Sequence, residues 1–431
     1  VLQLAGAIAA EILTAFLVDY FFLFLCLVVV LLARIHYRKY SELQEEVYGS
    51  PRFGLKEVIE RLILTGLVAG FASSFLVVTA GVTIETDTVR YLFYIMSLLL
   101  LLDLRFVSFP YAAGLLSAAS FIFSTLKVNV PSLLCLAAML QMLEGLLVFL
   151  SRKDGYIPVY MRHQGEITGA FLIRRFWMIP VVFMTYLVQP ETMTPMQPGS
   201  MMPMRLETIL PDFAAGLPMP FSPKFLAGAV GALGLDCLIA MLCYSDISMS
   251  TQPEKKSARS AAILFAHGGI LMILALISRD VGWVGCIGAV LCIAGREGIS
   301  AWSFAAEKRK TPLYSAVRRG LRVLDVLPGS NAQSMGMMRG DIILSINNMD
   351  IQTEEGMNEA LKGFPVYTWI RVLREEKERL LEYRCYPEGY NDLGIIIVPR
   401  EKEVTYKTAW FENMSIIRNI VNRFRSMDRT V

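Results

Sequence analysis

Between Leu62 and Ile84 the chain runs for 23 residues without a charged side chain, and several other stretches are nearly as apolar. A helix needs roughly 20 such residues to cross a bilayer, whereas a surface helix of that length in a soluble protein shows a polar face. Nine stretches read as candidate spans: Ile12–Ala33, Leu62–Ile84, Val89–Leu102, Phe106–Leu126, Val130–Leu150, Phe176–Val188, Phe225–Tyr244, Ala261–Ser278 and Val281–Ala294. Charge is distributed to match. Residues 301–431 hold 37 of the 79 charged side chains, and the first 300 residues hold the other 42. The pattern predicts a polytopic α-helical membrane domain over residues 1–300 followed by a water-facing part. That excludes a secreted or purely cytosolic protein.

Lys and Arg concentrate in cytoplasmic loops, so alternate loops report orientation. One set carries Arg34, Arg38, Lys39, Arg52, Lys56, Arg61, Arg105, Arg152, Lys153, Arg162, Arg174, Arg175, Lys255, Lys256 and Arg259, fifteen in all. The opposite set carries Arg90, Lys127, Arg205 and Arg279, with Lys224 at a span edge. This asymmetry predicts an outside N-terminus and a cytoplasmic C-terminal part. The polar joints Asp103–Arg105 and Arg279–Asp280 predict helical hairpins. Ile157, Val159 and Met161 alternate before His163-Gln164-Gly165, which predicts a small hairpin against the membrane. The Pro- and Met-rich stretch Gln189–Pro223 reads as an outer loop.

Asp19, Glu144, Asp236 and His267 fall within or near spans, where an ionised group costs at least ~2.5 kcal/mol at the centre. Two readings stay open for them, a proton or ion path and helix–helix hydrogen bonding, the second favoured. Gly228, Gly231 and Gly234, and Gly282, Gly285 and Gly288, read as close-packing positions. Six of the seven cysteines lie in apolar runs and Cys385 in the water-facing part, with no metal-ligand spacing and no disulfide expected. The net charge of +3 gives no reason to expect nucleic acid.

From Gly320 the chain reads as a compact α/β unit. Leu321–Leu327 is a strand closed by Pro328-Gly329-Ser330, where proline presets a turn and glycine supplies positive φ. Asn331–Met335 is a helical turn ending at Gly336, and Gly340-Asp341 opens the strand Ile342–Ile346. Glu354–Lys362 is helical, and strands follow near Tyr367–Leu373 and Arg379–Tyr386. Pro328-Gly329-Ser330, Ala332, Gly336-Met337, Gly340-Asp341, Ile343-Leu344 and Ile346-Asn347 resemble a bacterial PDZ domain. The expected order is therefore a membrane domain of about nine helices (1–300), a linker (301–315), a small α/β PDZ domain (316–400) and a basic tail (401–431).

PDZ resemblance implies a loop that receives a peptide carboxylate and a strand–helix groove that adds the peptide as a strand. By position the loop is Arg318, Arg319, Gly320 and Leu321, and the groove is lined by Leu321, Val323, Met357 and Leu361. Arg319 stands where the family usually has an apolar residue. No HExxH zinc motif is present among His36, His163 and His267, and no nucleophile triad or phosphate loop is found, so neither an enzyme nor a cofactor is expected. Many spans followed by one PDZ domain resemble the MinJ-like proteins of bacterial cell division. That resemblance implies a scaffold bridging a DivIVA-like polar protein and the MinD-like ATPase at septa and poles, with oligomerisation left open. A PDZ-bearing transporter and a protease-regulating adaptor are the alternatives. In the tail, Trp410, Phe411, Met414, Ile417, Val421 and Phe424 recur at helical spacing among arginines. They predict an amphipathic helix that either packs back on the domain or lies on membrane lipids.

Overall fold

The computed structural model describes residues 2–34, 55–186, 204–205, 233–363, 367–384 and 393–399, apart from short gaps inside the first two stretches. Most of the Arg34–Arg61 connector, the Asp103–Arg105 joint, nearly all of Gln189–Pro223, Gly228, Gly231, Cys385 and the 401–431 tail lie outside the described residues. Helices come first, among them α1 (Leu2–Val18), α2 (Leu55–Thr79), α3 (Thr86–Leu102), α4 (Phe109–Ile122) and α5 (Val130–Leu150). Strands β1 (Tyr156–His163), β2 (Glu166–Tyr186), β3 (Met204–Arg205) and β4 (Leu233–Ser248) lead into α6 (Pro253–Ser278) and α7 (Gly282–Arg309). Strand β5 (Tyr314–Ser315) joins the first sheet, and the C-terminal sheet unit holds β6 (Leu321–Val326), α8 (Asn331–Ser334), β7 (Ile342–Ile346), β8 (Met349–Asp350), α9 (Glu354–Gly363), β9 (Tyr367–Arg374), β10 (Lys377–Arg384) and β11 (Ile395–Ile397).

Among the described residues, four helices are long and apolar enough to cross a membrane: Glu60–Thr79 within α2, then α5, α6 and α7. The number becomes five if Leu2–Val18 and Phe22–Val28, bent by 78° about Asp19, form one span. Two of the expected spans are not helical where they are described. Phe176–Tyr186 is the inner half of β2 and Leu233–Tyr244 belongs to β4, the two strands pairing antiparallel from Phe171↔Ser248 to Tyr186↔Leu233. Length explains the correction. Thirteen residues rise about 20 Å as a helix, short of a roughly 30 Å core, whereas nine to eleven residues suffice as a strand. Trp177, Ile179, Val181, Val182, Phe183 and Thr185 are β-branched or aromatic, and this run is apolar on both faces, so periodicity carries no signal. The expected small hairpin is real. Gln164 and Gly165, both at positive φ, turn β1 into the start of β2.

An apolar environment leaves no water for strand edges, so the protein must seal them. Along the β2 edge facing away from β4, Val182 N–H donates to Ser74 Oγ (2.8 Å). Met184 exchanges bonds with Val82 and Ile84, at 3.1 and 2.9 Å. Pro180 falls on the same edge, where its missing N–H leaves no donor unmet. Gly66 and Gly70 admit the strand against α2: a Cβ there would lie 2.0 Å from the Met178 carbonyl oxygen and 2.4 Å from that of Pro180. On β4, Asp236 Oδ1 accepts the Cys237 N–H and Asp246 Oδ1 the Ile247 N–H.

Several charged and polar side chains buried among the helices are paired. Arg296 on α7 forks onto Glu144 of α5 at 2.6 and 2.7 Å, and also reaches Gln141 and the Cys243 carbonyl. Lys256 lies 3.3 Å from Glu307, whose other oxygen accepts the Met249 and Ser250 N–H groups. Ser260 and Ser303 donate to Asp246, beside a cavity of about 50 Å³. His267 Nε2 sits 3.2 Å from the Leu291 carbonyl, and Asp19 Oδ1 accepts Phe22 N–H where the first helix bends. Gly285 and Gly288 pack on Val130 and Leu134, as expected of close-packing positions. Gly234 instead lies in β4.

In the C-terminal unit the sheet order is β10-β9-β7-β6-β11, with β8 added to β7. Its core gathers Leu321, Val323, Ile343, Ile346, Met357, Leu361, Ile370, Val372 and Ile397. Asn347 and Asn348, both at positive φ, make the turn expected after Ile346. Buried Asp341 accepts Arg374 at 2.6 and 2.7 Å and the Met338 N–H at 2.9 Å, so the Gly340-Asp341 pair is a structural brace.

Candidate partner-binding edge of the C-terminal sheet

Leu321, Val323, Met357 and Leu361 do converge, but as core: all four are buried in one cluster. Arg318 and Arg319 stay exposed beside β7, and Arg319 pairs with Asp350 at 3.2 Å. Gly320 has φ +84°, and a Cβ on it would lie 2.4 Å from the Ile343 carbonyl oxygen. A side chain at this position strains the fold, so its replacement is no clean probe of binding. Strand β6 is also bonded on both edges. Leu321 and Arg322 pair with β7, and Val323, Asp325 and Val326 pair with β11. Among the described residues, both lanes beside β6 are thus taken by strands of its own sheet.

The strand that ends the sheet on this side is β11, which the sequence reading did not single out. Its signal was present: Ile395-Ile396-Ile397-Val398 is a β-branched run set between Gly394 and Pro399. Gly394 turns into the strand at φ +71°, its carbonyl accepting Leu327 N–H (2.8 Å), while Val398 N–H donates to Arg322 (2.9 Å). Since Gly394 and Val398 face β6, alternation turns the backbone groups of Ile395 and Ile397 outward. The Ile397 side chain meanwhile shares the core with Met357 and Leu361 of α9. An outward strand edge beside a helix is the arrangement that strand-adding peptide sites use.

This edge faces the helical part. Tyr160 of β1 donates its hydroxyl to the Ile397 carbonyl at 2.8 Å. Beside it, β5 pairs with Thr168 and Gly169 of β2, and a Cβ on Gly169 would meet Leu324 Cδ1 at 2.4 Å. Arg339 ties the two parts: it bonds Asp325 of its own unit (2.5 Å), Glu254 in the first turn of α6 (2.7 Å) and the Tyr156 hydroxyl. Its guanidinium stacks 4.6 Å from the Tyr156 ring centre and 5.5 Å from that of Phe171. Burial pushes the Tyr156 hydroxyl above its ordinary value despite Arg339, and pushes Tyr314 up to about 12, so both remain neutral phenols near neutral pH. Among the described residues no group of His, Cys, Asp and Glu is arranged to hold a metal.

No family model matches the chain. Over 136 residues, 31% of its length, it is 25% identical to the cell division topological determinant MinJ of Bacillus subtilis, covering 34% of that protein. A probable cell division topological determinant MinJ of Lacticaseibacillus paracasei is 23% identical over 136 residues, 31% of this chain and 37% of the relative. A putative zinc metalloprotease of Thermotoga maritima is 45% identical over 67 residues, 15% of this chain and 13% of the relative. The matched stretches thus span 34% and 37% of the two MinJ relatives and 13% of the metalloprotease. The similarity supports a MinJ-like relationship for a chain with at least four membrane-capable helices.

Proposed function

We propose that this chain is a non-enzymatic membrane adaptor whose C-terminal unit is a PDZ-like module, capturing an extended partner segment along β11 beside α9. The observation that carries the reading is the pairing pattern: among the described residues β6 has a strand on each edge, while β11 turns the backbone groups of Ile395 and Ile397 outward and its Ile397 side chain shares a core with Met357 and Leu361. The peptide groove is thereby reassigned from the Arg318–Leu321 loop to Leu393–Val398 and α9. Similarity to MinJ supports a role in placing the division septum, with a DivIVA-like polar protein and a MinD-like ATPase as the partners to test first.

The geometry of the helical part supports a cytoplasmic C-terminal unit. Arg175 bonds the Val148 carbonyl and Ser257, so the end of α5 and the start of α6 share a face with the base of β2. That face also holds the end of α7, through Glu307 and Lys256. On the opposite face Asn129 meets Thr83 at 3.4 Å. The shared face carries Arg152, Lys153, Arg162, Arg174, Arg175, Lys255, Lys256 and Arg259, the excess expected inside. Removing the β2 and β4 segments as a pair leaves the parity of the later spans unchanged.

A fluorescent fusion at the native locus of the host is expected at septa and poles. Uniform membrane signal would remove the division role. A single cysteine at Glu354 should react only after the cells are opened, and labelling of intact cells would invert the topology. The Thermotoga match supports a second reading, an adaptor that serves a protease. Co-purification of a membrane protease in place of division proteins would favour it.

A further inference from the structure

We propose that the helical part of the molecule holds the partner-binding edge closed: the Tyr160 side chain of strand β1 reaches into the lane beside β11, and an extended partner gains that lane only when the C-terminal unit swings off β1. The proposal rests on the reading of β11 as the capturing strand. An added strand would run about 4.8 Å from β11 and send its N–H groups to the outward carbonyls. The Tyr160 hydroxyl already sits 2.8 Å from one of these, Ile397 O, so the phenol tip stands inside that lane. A partner N–H and the Tyr160 hydroxyl compete for the same oxygen.

The closure is held by few contacts, all local to one seam. Behind β11, Ile396, Val398 and Leu324 are buried in the same cluster as Tyr156, Phe171 and Tyr314, rather than in the core of their own unit. Leu324 is the extra residue where the β6–β11 register shifts, and it presses onto Gly169, the position on β2 with no side chain to refuse it. Polar links that cross the seam among the described residues include Tyr160 to Ile397, Arg339 to Glu254 and Tyr156, and Arg322 to the Leu313 carbonyl at 2.8 Å. Arg339 is built for release. Its bond to Asp325 lies within its own unit, so undocking strips the guanidinium of Glu254 and Tyr156 without leaving buried Asp325 unpaired. Glu254 opens α6, a membrane-capable helix, so displacement of that helix bears directly on the clamp.

The test uses the full chain in lipid nanodiscs. The double variant Tyr160→Phe with Glu254→Gln removes two seam links from the helical side and leaves the C-terminal core untouched. Gly169→Val serves as an independent wedge. Amide hydrogen exchange over Leu393–Val398 should rise about tenfold in both variants, the size of one net hydrogen bond lost, while exchange over Ile342–Ile346 stays unchanged. Panning a phage-displayed library of short random peptides should then recover about tenfold more clones with the double variant than with the unaltered chain. Unchanged exchange at Leu393–Val398 would overturn the closure. Raised exchange with equal recovery would also overturn it, while leaving peptide capture in place. Raised exchange with no clone recovered by either form would remove the capture reading itself, and with it any partner-excluding role.

Discussion

The molecule contains two antiparallel sheets with the same problem, an edge of unpaired backbone groups, and their surroundings make them solve it differently. Around β2 and β4 the edge groups are met by side chains and by a neighbouring segment: Ser74, Asp236, Asp246, Arg296 and Val82–Ile84. In the C-terminal unit the edge strand β10 simply exposes Lys377, Glu378, Arg379 and Glu382 to water. An irregular or open strand survives at membrane depth only when protein replaces the solvent. The contrast makes β11 informative. It is a water-side edge strand, yet it is covered by Tyr160 in the manner of the buried sheet.

The difference between the sheets is open to direct breakage. Arg296→Met should cost the most, about 3–5 kcal/mol, because Glu144 is left buried and unpaired while the Cys243 carbonyl loses its donor. Chemical unfolding in detergent should show that loss, and Glu144→Met in the same chain should restore part of it. Next comes Gly66→Val, whose side chain meets the Met178 carbonyl; overpacking of about 1–3 kcal/mol or more should appear as a lowered Tm. Ser74→Ala leaves the Val182 N–H without its acceptor and should cost about 1–3 kcal/mol by the same measurement. At the wet edge, Arg379→Ala should stay within about 0.5 kcal/mol. A loss at Arg379 equal to that at Ser74 would erase the distinction between the two sheets.

How far the sequence exposed this arrangement depended on where each signal lies. Ile342–Ile346 and the turn at Asn347-Asn348 were readable because alternation and turn chemistry agree there. Helices α5 and α6 and the tight α6–α7 joint were readable from unbroken apolar length. Strands β2 and β4 were not, because a segment buried on all sides shows neither a 3.6 nor a 2.0 period. Only the shortness of Phe176–Val188 and its β-branched content argued for a strand. The β6–β11 pairing was hidden for another reason. Local motifs reveal that Leu321–Leu327 is a strand, but which neighbours it pairs with is a long-range fact, and β11 lies some seventy residues on. Arg339 sits in a turn-like stretch, and nothing local marks it as the clamp to Glu254 and Tyr156.

Peptide capture at β11 is measured most directly by removing one outward backbone donor. Ile397→Pro deletes the N–H that faces the added strand and spares the β6-facing bonds of Gly394 and Val398. Full-length protein and this variant, each in nanodiscs and each carrying Tyr160→Phe, are compared in panning against the same random-peptide library, with thermal unfolding as the control for folding. The predicted result is a peptide motif enriched by the parent and by an Ile397→Ala control, which loses the same buried side chain, and lost in the proline variant. Equal enrichment by both proteins would contradict capture along β11.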